Sequence, residues 1–382
     1  MTQTQSDLIR LLRFAVLGEP LPEGFQPADA QTLFQLAKAH DLAHLASFAL
    51  RENGLLDPAS PLGREYDRQQ MLAVWRVNVL ERDLGDVCAA FEKAGIDYIP
   101  LKGAVIRGLY PEPWMRTSGD IDILVRADDL ERAEQTLTDT LSYRLEGAGG
   151  HYHHVTSPSG FHIDLHFTLT ELESPAAPLL HTVWERSAPV APGRHAYRMP
   201  DALMYLFHVY HAAHHARHGS CGVRTVLDTW LLCHGTDFDA DARRAMLRDG
   251  GLTRFADTLE TVARAWFRSE PLSRRYQNAE AYFFTGGVYQ GRHNLAAAQA
   301  SMGGRVQYLF ARAFPPRSSL RIGYPVLERQ PWLLPACWAH RLVKAAAAGK
   351  LPAARQEIRT ANQTRSLSQE LALLFTEMGL SD

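Results

Sequence analysis

Arg116-Thr117-Ser118-Gly119-Asp120-Ile121-Asp122-Ile123-Leu124-Val125 is the stretch that decides how this chain folds. Ile121, Ile123 and Val125 alternate with acids, and that period of two predicts a strand over 121–125 with Asp120 at its start. Side chains two apart on a strand point the same way, so Asp120 and Asp122 share one face while the apolar residues pack on the other. Two carboxylates on one face repel each other unless a cation sits between them. Hard oxygen ligands of this kind suit Mg2+ or Mn2+. Aspartate is also depleted in strands, so two on one face need a reason.

Working outward, Tyr98-Ile99-Pro100-Leu101 reads as a short strand, and Lys102 to Tyr110 as a short helix. Ala127 to Leu141 is helical, opened by Asp128 and Asp129, whose charge suits a helix N-terminus. Tyr152–Thr156 and Phe161–Phe167 flank Ser157-Pro158-Ser159-Gly160, which reads as a β-hairpin. In the second of these strands Phe161, Ile163, Leu165 and Phe167 take one face; His162, Asp164 and His166 take the other. If this strand lies near the Asp120 strand, three carboxylates converge. Acids around two metals form the clamp used for in-line displacement at phosphorus.

Helical patterns surround this mixed unit. Ser6 and Gly18 read as the ends of a first helix, helical spacing continues through 28–53, and a longer helix runs from about Leu62 to Lys93 until Gly95 stops it. Beyond residue 195, Asp201–His218 and Val223–His234 are helices, with shorter ones through 237–300 and a helical tail broken at Pro315-Pro316. The expected class is α+β: a small mixed sheet embedded between an N-terminal helical region (1–60) and a C-terminal one (196–382), with the sheet unit spanning 61–195.

Composition narrows the function classes. Across 382 residues, 46% hydrophobic and 21% charged residues describe an ordinary globular chain, and a formal charge of −2 gives no whole-chain attraction to nucleic acid or membrane. No apolar run approaches the roughly 20 residues of a membrane span. The N-terminus reads as an amphipathic helix rather than a signal peptide. Cys88, Cys221, Cys233 and Cys337 lie far apart without a CxxC pair, which points to a reduced, cytoplasmic protein. One stretch departs from neutrality: residues 301–360 hold ten basic residues against only Glu328 and Glu357, either a solvated face or a basic wall for phosphates.

The layout resembles the DNA polymerase β-like nucleotidyltransferase superfamily, and within it the large uncharacterised bacterial nucleotidyltransferase family with a Lys-Gly motif. The residues that carry the resemblance are Leu101-Lys102-Gly103, Leu109-Tyr110-Pro111, Arg116, Asp120-Ile121-Asp122-Ile123-Leu124-Val125 and Asp164, joined by the His-rich helix with Asp228 following and by Pro331-Trp332-Leu333-Leu334-Pro335. The resemblance implies that Asp120, Asp122 and Asp164 bind Mg2+ (or Mn2+) and perform catalysis. It implies that Lys102, Gly103 and Arg116 bind the phosphates of an NTP, ATP first among them, and that a hydroxyl attacks the α-phosphate to release pyrophosphate. The acceptor it leaves open is a small molecule or a protein hydroxyl; no RNA-binding motif appears. Where the superfamily usually has Gly-Ser or Gly-Gly, Gly103 is followed by Ala104, so no serine hydroxyl is offered there. Lys102 and the amides opening the 102–110 helix are the expected substitutes.

Histidine is abundant, at 17 residues, and clusters at 151–154 and along one helix. Helical offsets place His208, His211, His215 and His218 on one face, as a zinc site, an acceptor pocket or a polar seam. The resemblance favours an acceptor pocket for His211 and His215, with Asp228 orienting one of them. Two rival functions remain: a non-catalytic nucleotide- or partner-binding module on the same fold, and a metal-dependent phosphohydrolase built on His40-Asp41, where Asp41 otherwise caps the following helix.

Overall fold

The computed structural model describes residues 1–148, 151–170, 174–219, 221–235, 238–285, 305–320, 324, 326–347 and 365–381. Helix α1 (Gln3–Leu17) opens with a capping box in which Thr2 and Gln5 satisfy each other's backbone N–H groups, and Gly18 closes it at φ 69°. Thr2, not Ser6, is therefore the cap; the Gln5 side chain rewards an earlier start. The helical spacing of 28–53 belongs to two helices, α2 (Ala30–Ala39) and α3 (Ala43–Glu52). They are separated because Asp41 sits at φ 55° with its carboxylate drawn to Thr117 (2.6 Å) and Arg224 (2.9 Å). Asp41 is thus a tertiary tie, and Leu42, without a side-chain cap, occupies the position before α3. Helix α4 (Pro61–Ala94) runs from Ser60, which caps Gly63, to Gly95 at φ 67°.

Five strands follow: β1 (Tyr98–Pro100), then β2 (Asp120–Val125), β3 (Arg144–Ala148), β4 (Tyr152–Thr156) and β5 (His162–His166), ordered β1-β2-β5-β4-β3. Every pairing is antiparallel except β2 with β5, which is parallel. The hairpin expected at 152–167 is present. The sequence reading missed β3, whose Gly147 and bulge interrupt the alternation. Between β1 and β2, the expected 102–110 helix shortens to α5 (Gly103–Ile106) and a 3-10 turn at Arg107–Leu109. Helix α6 (Leu130–Leu141) links β2 to β3.

The sheet's two faces explain the alternation of β2. Ile121, Ile123 and Val125 join Ile163 and Leu165 in a core closed by Leu80, Val87 and Phe91 of α4 and Ala133 and Leu137 of α6. The opposite face carries the acids and looks toward the later helices. Those begin after two short helices, α7 (Ala177–His181) and α8 (Val183–Arg186), and a small ribbon, β6 (Ala188–Pro189) with β7 (Tyr197–Arg198). Then come α9 (Asp201–Arg217), α10 (Val223–His234), α11 (Ala240–Asp249), α12 (Thr253–Arg268) and α13 (Arg274–Thr285). A second, larger core joins α1–α3, Ile99 and Leu124 of the sheet, α9–α13 and the final helix Arg365–Met378. Of the basic run at 301–360, Arg321, Lys350, Arg355 and Arg359 lie outside the described residues. Among the described residues, no helix is long and apolar enough to cross a membrane.

Ile123 is fully buried between the two acids' neighbours and the α4 helix. Ile123→Ala is expected to cost about 2–5 kcal/mol of stability by loss of transfer energy and creation of a cavity. Urea unfolding followed by far-UV circular dichroism would show it as a lower midpoint with an unchanged slope.

Candidate active site

The parallel register of β2 and β5 sets Asp122 opposite Asp164, Asp120 opposite His162 and Leu124 opposite His166. Asp122 is the hub. The Leu101 N–H donates to the Asp122 carbonyl (2.9 Å), which delivers Lys102 to the same place. Lys102 Nζ then donates to Asp122 Oδ1 at 2.8 Å, and His166 Nε2 donates to that same oxygen at 2.8 Å. Burial works against the Asp122 charge, yet Lys102 and His166 hold its carboxyl well below the usual carboxylate range. Asp164 Oδ1 accepts from His154 Nδ1 at 2.8 Å. Asp120 opens onto the cavity, where burial and then the Asp122 and Asp164 carboxylates push its pKa up to about 6.

These donors fit a divalent cation. Asp122, Asp164 and His166 each offer a ligand atom, and the three atoms lie within 4.8 Å of one another. Asp120 stands outside that group of three; burial, and then the neighbouring Asp122 and Asp164 carboxylates, disfavour its charge. The three predicted acids are therefore brought together by the fold.

Two cavities meet at this cluster, sharing Lys102, Asp120, Asp122, Phe207, His211 and His215. One, of about 340 Å³, continues past Gly103, Ser118, Arg116 and Arg224. The other, of about 320 Å³, continues past Tyr152, Asp164, His166 and Tyr210. The sequence-predicted phosphate residues Lys102, Gly103 and Arg116 all line the first cavity, and Lys102 lines the second as well. Lys102 lies at the junction, held at φ 41° and engaged with Asp122 rather than free. Gly103 is required by crowding: a Cβ there would lie 2.9 Å from Arg116 Nη1. The N–H groups of Ala104, Val105 and Ile106 turn back onto the Leu101 and Lys102 carbonyls, which narrows what this helix start can offer a phosphate.

Arg116 is buried and forked onto Asp228, with Nε and Nη2 at 3.1 and 2.9 Å, and Tyr110 donates to the same carboxylate at 2.8 Å. Asp228 thus orients Arg116, not a histidine. The His-rich face also separates. His208 borders the first cavity, but its Nε2 is engaged with Thr229 Oγ1 (2.9 Å), and His218 is exposed. His211 and His215 face the cavities with their Nε2 atoms 3.0 Å apart. Burial, then Lys102, lowers His211 far below an ordinary histidine and His215 to about 4, so both rings are neutral at pH 7. A bend at Gly119 precedes β2, and the segment before it is pinned by the buried Arg107. Arg107 donates from Nε to the Arg116 carbonyl (3.1 Å) and from Nη2 to Ser118 Oγ (2.8 Å).

Ser118, Arg107 and Arg224 were not singled out in the sequence, whereas His154 belongs to the 151–154 histidine cluster noted there. Ser118 had a signal, two residues before Asp120 in the deciding motif, and Arg107 lies only 11 residues before Ser118; Arg224 arrives from α10, 107 positions after Thr117. The His40-Asp41 pair does not assemble a metal site. His40 Nε2 bonds the Phe284 carbonyl (3.1 Å), and its Nδ1 accepts from the Val223 N–H (3.4 Å). Among the described residues, the group whose ligand atoms lie close enough to hold a metal ion is Asp122, Asp164 and His166.

A family model described as uncharacterised nucleotidyltransferase matches residues 26–268. Among solved structures, the solution structure of the antibiotic-resistance factor ANT(2'')-Ia is similar at 17% identity, covering 52% of this chain and 94% of its own, with a TM-score of 0.27. No curated protein matches.

Two outcomes follow from the geometry. Asp120, raised in the folded state, makes the metal-free protein less stable as pH rises from about 4 through about 6. Asp120→Asn is expected to raise the thermal midpoint at pH 7.5 and to leave it unchanged near pH 4, measured by calorimetry without divalent ions. Asp228→Ala strands the buried Arg116 charge and is expected to cost about 3–5 kcal/mol in denaturant unfolding.

Proposed function

This chain belongs to the uncharacterised nucleotidyltransferase family, and from that premise we propose that it moves a nucleoside monophosphate, AMP from ATP in the first instance, from an NTP to a hydroxyl of an acceptor, releasing pyrophosphate. The acceptor is a small molecule or a protein hydroxyl. The observation that carries the reading is the convergence of Asp120, Asp122 and Asp164 on one face of the adjacent strands β2 and β5, where two cavities meet. A site for joining two substrates must bring both to one reaction centre, and the two cavities meet at these acids.

Asp120, Asp122 and Asp164 would hold Mg2+ or Mn2+. Such an ion, when bound, neutralises the reacting phosphate and lowers the pKa of an acceptor hydroxyl. The chain's own groups perform the rest. The cavity past Gly103 takes the triphosphate. Lys102, drawn from Asp122 by the stronger phosphate charge, neutralises it as a point charge. Ser118 supplies the hydroxyl that Ala104 cannot: its Oγ is 3.5 Å from where a Gly103 Cβ would stand, and Arg107 holds it there. Arg116 lends charge to the same wall while Asp228 fixes its orientation. In the second cavity Asp164, with one oxygen engaged by His154, takes the acceptor proton on the other. The acceptor oxygen then bonds to the α-phosphorus as the bond to pyrophosphate breaks. The neutral His211 and His215, at the junction, offer hydrogen bonds without adding charge.

The test is pyrophosphate release from each NTP with Mg2+ or Mn2+ in the presence of small-molecule and protein extracts. Asp122→Ala is expected to lower the rate on the order of 10³-fold. Ser118→Ala is expected to raise KM for the NTP about tenfold, the worth of one hydrogen bond to a charged group. Release that persists in Asp122→Ala would overturn the reading.

A further inference from the structure

We propose that His166 is a nitrogen ligand of the metal centre, and that it tilts the site toward first-row transition ions such as Mn2+ over Mg2+. The inference rests on the nucleotidyltransferase reading only for the presence of a divalent ion; its test needs no substrate.

Three observations place the ring. His166 lies two residues after Asp164 on β5, so both side chains leave the same face of the strand. Its Nε2 lies 2.8 Å from Asp122 Oδ1. That is close to the separation of two neighbouring ligands each held about 2.1 Å from a single octahedral ion. The side chain is also fixed: only 3% of the residue is exposed, and its ring packs against those of His151 (5.4 Å) and Tyr152 (5.2 Å). A polar residue on an ordinary sheet face would be solvated and free to turn. This one is buried with a nitrogen directed at a carboxylate that itself belongs to the site.

The proton balance is simple. Without an ion, the neutral ring carries its proton on Nε2, directed at Asp122, and the buried Nδ1 has no hydrogen-bond partner among the described residues. When an ion binds, Nε2 gives its lone pair to the metal and the ring proton resides on Nδ1, so the ring stays neutral. The donor set then becomes carboxylate oxygens plus one imidazole. Imidazole nitrogen is a good partner for transition ions, whereas Mg2+ is served by oxygen ligands and retained water.

The experiment uses the full chain and Mn2+ alone. Electron spin echo envelope modulation of the bound Mn2+ is expected to show imidazole ¹⁴N coupling in the wild type and to lose it in His166→Gln. Loss of an outer-shell partner already lowers metal affinity about 10–100-fold; His166→Gln is expected to weaken Mn2+ by about tenfold or more, with a smaller loss for Mg2+. Circular dichroism checks the fold of the variant, and His166→Asn serves as a second one. Absence of ¹⁴N coupling in wild type, failure of Mn2+ to bind at millimolar concentration, coupling that persists in the variants, or equal losses of Mn2+ and Mg2+ would each overturn the proposal. Pyrophosphate release by the same preparation reports separately on nucleotidyl transfer.

Discussion

Parallel pairing of β2 with β5, the exception in an otherwise antiparallel sheet, puts the Asp122 and Asp164 carboxylates side by side with Asp120 one step away. Like charges at this spacing raise the energy of the folded state; burial first, and then the Asp122 and Asp164 carboxylates, push the Asp120 pKa up. The register persists because the other side chains of the same strands are locked into a core. Ile121, Ile123, Ile163 and Leu165 are essentially buried against α4 and α6. A slip of one residue would turn that apolar set toward the helices carrying the histidines and the acids into the core. The apolar face therefore holds the polar face in a conformation that its charges alone would reject.

The neighbourhood shows how the chain's own groups offset the excess negative charge. Lys102 takes a backbone geometry with φ 41°, sparsely populated for a residue with a side chain, and places its ammonium on Asp122. His166 satisfies the same oxygen, and His154 satisfies Asp164. A second layer fixes the walls: Asp228 gathers Arg116 and Tyr110, and Arg107 gathers the Arg116 carbonyl and Ser118. These contacts join the sheet, the 107–118 connection and α10. The cavity is thus built by parts of the chain more than 100 residues apart, which makes its shape a property of the whole packing.

The helical envelope has a corresponding role. The N-terminal helices share their core with α9–α13 and with Ile99 and Leu124 of the sheet instead of standing apart. Asp41 illustrates the coupling: its positive φ separates α2 from α3, and its carboxylate reaches Thr117 and Arg224 beside the cavity. A His-Asp pair that reads locally as a metal motif is instead consumed in holding the frame.

The sequence by itself determined what depends on near neighbours. Period two in 120–125 and 161–167 gave the strands and the sharing of a face by the acids; Gly18 and Gly95 gave helix ends; the Lys-Gly motif and the acids gave the family. Beyond that, local pattern loses its grip. β3 was hidden because Gly147 and a bulge disturb its alternation. The helical face of His208, His211, His215 and His218 was correct as a projection, but only packing decides which of them meets the core, the cavity or solvent. Asp228 was legible as a residue of interest, while its partner was not, since Arg116 lies 112 positions away. Tertiary structure alone chose Lys102 and His166 as the groups that share one oxygen of Asp122, because hydrogen bonds and charge compensation depend on distance in space, and sequence records distance only along the chain.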